Sequence, residues 1–180
     1  MEKVRIIEAT RNNSDVIGSL HAASWRIAYR GLLTDAYLDN DLEGERKKYW
    51  ANKMLTLKPN EFVLLAVADS VVVGFISIMD VPEKGYNALV DNLHVTPHLK
   101  GLGVGATMMR AAARRLKVAG TTKFYLWVLE GNVAAEKFYL AKFGRPMDRA
   151  ESDFGGKMVW ATRYVWDSFD SLLGQGDEIA

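Results

Sequence analysis

The strongest chemical signal in the chain is Lys100-Gly101-Leu102-Gly103-Val104-Gly105-Ala106. It follows a strand-like segment and opens a run of good helix formers. Glycine lacks a side chain, so several amide N–H groups can converge on one concavity and a ligand can approach the backbone closely. The dipole of the following helix adds about half a positive charge at the same point. An anion fits there, most naturally a pyrophosphate. Each charge-assisted amide bond contributes about 1.5–3 kcal/mol, so three or four anchor a cofactor. The alternative is a glycine-rich helix start with no ligand.

Two rival loops can be compared with it. A Walker loop is excluded, because no Lys-Ser or Lys-Thr pair follows the last glycine. A dinucleotide fingerprint is nearer. Gly101, Gly103 and Ala106 match G-x-G-x-x-A, and Glu130 falls roughly where a ribose-binding acid belongs. Its place in the chain counts against it. That fingerprint belongs to the first strand-turn-helix of a parallel domain, whereas here two helices and a hairpin come first.

Other reactive side chains are sparse. With 0 Cys, disulfides, thiolate nucleophiles and Cys-based zinc sites are all removed. His21, His94 and His98 are the imidazoles, and no metal-ligand spacing is recognised among them. His21, Trp25 and Tyr29 share a helical face and read either as packing or as an aromatic wall able to hold a cation. Arg110, Arg114 and Lys117 share another face and read as solvated surface. By spacing alone Phe138 and Tyr139 read as core aromatics. Period-two alternation puts Asp91 on the face of Leu89, Leu93 and Val95, with His94 opposite.

The elements that must position these residues follow from hydrophobic period and punctuation. Residues 4–9 read as a strand. Asn12 and Asp15 look like a capping box for a helix to about Tyr29, with Gly31 as its stop. A second helical region covers about Thr34 to Leu57, with charges at Glu43, Glu45, Arg46, Lys47 and Lys48. Glu61–Ala68 and Val71–Asp80 form a hairpin about Asp69-Ser70. Ala88–Val95 is a strand, Gly103–Ala119 a helix, Thr122–Leu129 a strand, Asn132–Phe143 a helix and Lys157–Trp166 a last strand. Residues 146–157 read as a loop, although the element order β-α-α-β-β-β-α-β-α-β-β closes on two strands. The tail from Ser171 is expected to fray. The fold class is α/β (α+β): a mixed, mostly antiparallel central sheet with flanking helices, as one domain over residues 1–170.

Composition narrows the partners. The 180 residues are 49% hydrophobic and 25% charged, which are globular values. A net charge of +1 disfavours a generic nucleic-acid or anionic-membrane binder. The longest apolar run, Val71 to Met79, falls well short of the ~20 residues a spanning helix needs. Residues 1–8 alternate charged and apolar and lack a signal-peptide core, so a cytoplasmic protein is expected.

Pro97-His98-Leu99-Lys100-Gly101-Leu102-Gly103-Val104-Gly105 resembles motif A of the GNAT superfamily of N-acetyltransferases, with Lys100 in place of the usual Arg or Gln. Asn132-Val133-Ala134-Ala135-Glu136-Lys137-Phe138-Tyr139 resembles motif B and follows 27 residues later. Leu126–Asn132, His21–Arg26 and Tyr29–Gly31 are also similar to the family. The resemblance extends to about Trp166. It implies the GNAT acyl-CoA N-acyltransferase fold and acetyl-CoA as cosubstrate, without a metal.

The resemblance further implies that strands 88–95 and 123–129 part at one end, with pantetheine along the backbone of Leu93, His94 and Val95. A backbone N–H near Val95 would polarise the thioester carbonyl. Lys100 to Ala106 would hold the pyrophosphate, and Asn132, Ala135 and Phe138 would border the cofactor. Tyr139 becomes the general acid that protonates the leaving thiolate. Family members often carry Glu at the position of Leu89, which is apolar here, so Asp91 is the base candidate, with Glu130 and His94 weaker. Trp25 and Tyr29 would border the acceptor.

Without Cys, an acetyl-cysteine relay is impossible, so direct transfer in a ternary complex is expected. A non-catalytic acyl-CoA-binding module and a dinucleotide oxidoreductase are the alternatives. The acceptor, a small-molecule amine or a peptide amino group, is not specified, and a homodimer is allowed for.

Overall fold

The computed structural model describes residues 4–40, 42–154 and 157–174. Seven strands form one sheet: β1 (Arg5–Glu8), β2 (Phe62–Ala68), β3 (Val71–Met79), β4 (Ala88–Val95), β5 (Phe124–Leu129), β6 (Arg145–Phe154) and β7 (Lys157–Trp166). The helices are α1 (Ser14–Ala28), α2 (Asp35–Asp39), α3 (Leu42–Leu55), α4 (Val104–Val118), α5 (Val133–Ala141) and α6 (Asp170–Leu173). The spatial order is β1-β2-β3-β4-β5-β7-β6, and among the described residues β4–β5 is the one parallel pairing of strands. The mixed, mostly antiparallel sheet expected from the sequence is present.

Residue parity along β2 shows how the layers stack. Leu64 and Ala66 join Met108, Ala112 and Leu116 of α4 in one core cluster. Val63, Leu65 and Val67 join Ile17, Leu20 and Trp50 of α1 and α3 in another. Both faces are covered, so all of β2 is buried and reads as a continuous apolar run. Helix α5 contributes Ala135, Phe138 and Tyr139 to the α4 side.

Several boundaries differ from the sequence reading. The capping box is Thr10–Asn13, with Asn13 Oδ1 accepting from the Thr10 N–H at 2.8 Å; a short 3-10 turn then leads into α1 at Ser14. The second helical region is two helices, because Asn40 leaves helical geometry at φ −87° and ψ −117°. Thr34 caps the first of them by accepting from the Tyr37 N–H. Residues 145–154, read mostly as a loop, form β6, paired with β7 from Arg145↔Val165 to Phe154↔Lys157. Only one side of β6 is paired, so alternating polar residues such as Arg149, Glu151 and Asp153 suit an edge strand and hide its period. The tail is helical through Leu173, with Leu172 and Leu173 buried, and residues 175–180 lie outside the described residues.

Asp69 and Ser70 turn the β2–β3 hairpin with φ of 49° and 65°, the two-residue turn with both central angles positive that matches strand twist. Among the described residues no helix is long and apolar enough to cross a membrane.

Candidate active site

The sheet opens at its centre. β4 and β5 pair only at Ala88↔Phe124 and Leu89↔Tyr125. Beyond that point β4 stays with β3 as far as Gly74↔Val95, while β5 stays with β7 as far as Leu129↔Ala161. Each strand keeps its outer partner and loses the inner one, which leaves a V-shaped gap.

Hydrogen-bond parity shows what faces the gap. The Thr96 N–H donates to the Val73 carbonyl at 2.8 Å. Alternation therefore turns the N–H and C=O of Val95 and Leu93 away from β3, toward β5. His94 has the opposite parity. Its carbonyl lies against Gly74, so a Cβ there would meet the oxygen at 2.8 Å. Of the three residues expected along the cofactor arm, Leu93 and Val95 present main-chain groups to the gap and His94 does not.

The glycine loop lies where β4 ends. Gly101 and Gly103 adopt φ of 81° and 84°, angles that strain any residue with a Cβ. A Cβ at either position meets nothing within 4 Å, so their surroundings are open. The first intrahelical bond of α4 runs from Thr107 N–H to the Gly103 carbonyl at 3.0 Å. The N–H groups of Gly103, Val104, Gly105 and Ala106 precede it, and no side chain caps them. These free amides and the helix dipole make the start of α4 favourable to a negative charge.

Gly105 is small for another reason: a Cβ there would come within 3.3 Å of the Phe138 ring, with Val95 at 3.9 Å. Phe138 therefore packs α5 onto α4 beside the gap. A cleft of about 270 Å³ next to the loop is lined by Ala106, Arg110, Lys142, Phe143 and α6. Arg110, read as solvated surface, borders this cleft.

Asn132 caps α5 by accepting from the Ala135 N–H at 3.3 Å. About two turns further on, Tyr139 is buried at 8% exposure. Burial raises its phenol further above 10, with nearby Tyr29 adding to the rise, so it is protonated at neutral pH. Tyr29 itself is pushed up to about 12 by burial, while its hydroxyl interacts with the Asn132 side chain. Tyr139, Tyr29 and Asn132 thus meet at one place, joining α5 to the end of α1.

On the α1–α3 side the register changes at one residue. Ser77 pairs with Asn92 and Ile78 with Val90, so Asp91 is the extra residue of a β-bulge. The bulge breaks the alternation assumed from the sequence: Leu93 packs toward the α4 side and Leu89 with Tyr86 and Tyr125 on another cluster. Asp91 interacts with Tyr49 and Lys53 of α3 and therefore shares its side of the sheet with His94, not the opposite one. It is open to solvent, yet desolvation by the surrounding protein raises its carboxyl above the usual range. Asn92 donates to it at 2.6 Å.

Two imidazoles lie on the same side of the sheet. His94 Nδ1 is 2.9 Å from Ser24 Oγ, and His21 Nδ1 accepts from Trp50 Nε1 at 2.9 Å. Their rings are 4.7 Å apart. Burial pushes His21 down to about 2 and His94 to about 3, so both are neutral. Trp25 is packed between His21 and Tyr29, at 4.9 and 5.2 Å. The cation on its ring face is the chain's own Arg46, at 5.0 Å. Sequence reasoning missed Arg46 as a site residue because it lies among five charges of α3; its spacing to Tyr49, Trp50 and Lys53 is the signal that could have found it.

Glu130 is not available as a base. Arg149 holds it with two bonds at 2.5 and 2.8 Å, Thr162 donates at 3.0 Å, and the guanidinium keeps its carboxyl below the usual range. Among the described residues no His, Asp or Glu cluster could hold a metal.

Residues 25–144 match the model of the acetyltransferase (GNAT) family, two-thirds of the sequence and both motifs, and the chain belongs to that family. Comparison with curated proteins gives no significant match. Solved structures share the fold. PaiA N-acetyltransferase from Thermoplasma acidophilum, in complex with coenzyme A, aligns with TM-score 0.72 at 21% identity over 90% of this chain and 99% of that one. YncA from Salmonella typhimurium, solved with acetyl-CoA, aligns at 0.65 and 16% identity over 99% of both chains. Ribosomal-protein-alanine N-acetyltransferase from Brucella melitensis aligns at 0.68 and 15% identity over 91% and 99%.

Proposed function

We propose that this chain moves an acetyl group from acetyl-CoA directly to a primary amine, with Tyr139 as general acid and Asp91 as general base. Three features support this reading: the uncapped amides of 103–106 where β4 ends, the unpaired edge at Leu93 and Val95, and the buried phenol of Tyr139 on α5, whose neighbour Phe138 packs against Gly105. Open space at Gly101 and Gly103 suits the bulk of a diphosphate. Arg110 and Lys142 line the adjoining cleft and would face a more distant phosphate.

Acetyl-CoA supplies the activated acyl thioester. The β4 edge would hold its arm as an added strand does, through main-chain bonds. The Val95 N–H would polarise the acyl oxygen where charge develops. Asp91 would accept a proton from the amine, through a water where distance requires it. Tyr139 would give its proton to the departing sulfur; burial raises the basicity of a thiolate there as well. Holding both reactants in the V contributes up to ~7–11 kcal/mol through orientation alone.

Thiol release from acetyl-CoA, measured with and without a pool of amines, tests the proposal. Amine-dependent release is expected. Tight coenzyme binding with no release for any amine would instead indicate a binding module.

A further inference from the structure

Arg46 is the guanidinium that α3 turns toward Trp25 of α1. Its side chain is 14% exposed. Its Cζ lies over the Trp25 ring, 5.0 Å from the ring centre, and over the Tyr49 ring, 5.3 Å from its centre. Such sandwiching fixes the fork and removes water from its faces. One terminal nitrogen pairs with Glu45, whose carboxyl is 46% exposed at the rim. The Nε is buried and has no hydrogen-bond partner among the described residues. A buried guanidinium with an unmet donor is costly unless an anion completes it.

Its position relates it to the chemistry. Trp25 leads through Tyr29 to Asn132 and Tyr139. Tyr49 leads to Asp91 and feels both that carboxylate and the Arg46 cation. Asp91 and the Arg46 cation therefore both neighbour Tyr49, and the Trp25 ring also lies beside Arg46. A molecule carrying both an ammonium and an anion complements that pairing.

We propose that the acceptor is an amine that also carries a carboxylate, an amino-acid-like compound, and that Arg46 binds this carboxylate while Asp91 faces the amine. This rests on the acetyltransferase reading above. A planar carboxylate matches the fork of a guanidinium. Glu45, being at the surface, would move aside as the carboxylate enters.

The test is a set of paired acceptors, each amino acid beside the amine that lacks its carboxylate, assayed by thiol release from acetyl-CoA. The wild-type protein is expected to prefer the acid by about 10–100-fold in kcat/KM, the size of one charge-assisted bond. R46Q is expected to bring that ratio near one, mainly through a higher KM for the acid, and R46K to restore part of it. Where R46Q fails to fold, deaminated acids decide: they are expected to inhibit the wild-type protein competitively against the amine. Equal or better turnover of the amines without carboxylate, or an equal loss for both members of each pair in R46Q, overturns the proposal and leaves the acetyltransferase reading intact. No amine-dependent release from any acceptor would overturn that reading instead.

Discussion

On the α4 side of the sheet, the groups that face the parted strands are main-chain amides: Val95 and Leu93 on β4, and residues 103–106 at the start of α4. On the α1–α3 side the candidate groups are side chains: Asp91 on its bulge, His94 held by Ser24, and Arg46 beside two rings. The first half recognises something through geometry that almost any sequence with the right glycines can build. The second recognises something through residue identity. One cosubstrate common to a family suits the first, and an acceptor that differs between proteins suits the second.

Substitutions can sharpen this contrast. The largest effect is expected at the one side chain that serves the chemistry from α5. Tyr139→Phe should lower kcat by about 10²–10⁴-fold, the usual size of a proton-transfer contribution. Coenzyme affinity, read by calorimetry, should change little, because the amides are untouched.

Gly103→Val tests the backbone half. A β-branched residue at φ 84° is strained, and its side chain would enter the open space there. We expect coenzyme Kd to rise more than about 100-fold, since several charge-assisted amide bonds are lost together. Equal affinity would mean that the diphosphate is held elsewhere.

Asp91→Asn tests the side-chain half. Desolvation by the surrounding protein raises the Asp91 carboxyl, so wild-type kcat/KM should fall as pH drops through a value above the ordinary carboxylate range. The variant should lose that limb and about 10–100-fold in activity at pH 7. The deficit should shrink as pH rises, because more of the amine is then already neutral.

The smallest effect concerns stability. His21 is surrounded by Trp25, Trp50, Phe75, His94 and Arg46, and both imidazoles have folded pKa values below the unfolded one. The unfolded chain therefore binds more protons below about pH 6.5, and stability is full above that pH and falls as pH decreases. Each imidazole should withdraw about 1 kcal/mol per pH unit between pH 6 and 4, seen by urea unfolding. His21→Gln, which does not titrate, should roughly halve the slope.

The same contrast explains what could be read from the residues beforehand. Gly101 and Gly103 need positive φ, and that need is written in their identity. The β2–β3 hairpin was legible because alternation and turn chemistry agree. The bulge at Asp91 was not, since no residue type marks it and period two had to be assumed; one extra residue reversed the relation of Asp91 to His94. β6 escaped because an edge strand with polar residues has no apolar period. Arg46 was hidden in a charge run, where most members are solvated; only the meeting of α1 with α3 shows which cation turns inward. Glu130 looked free in sequence because its partner Arg149 is on the unrecognised strand.

A crystal structure with coenzyme A bound tests the central claim most directly. The account predicts diphosphate oxygens on the amides of Gly103 to Ala106, the pantetheine arm along Leu93 and Val95, and its sulfur near the Tyr139 hydroxyl. A coenzyme seated away from the parted strands, or its thiol pointing away from Tyr139, would contradict it.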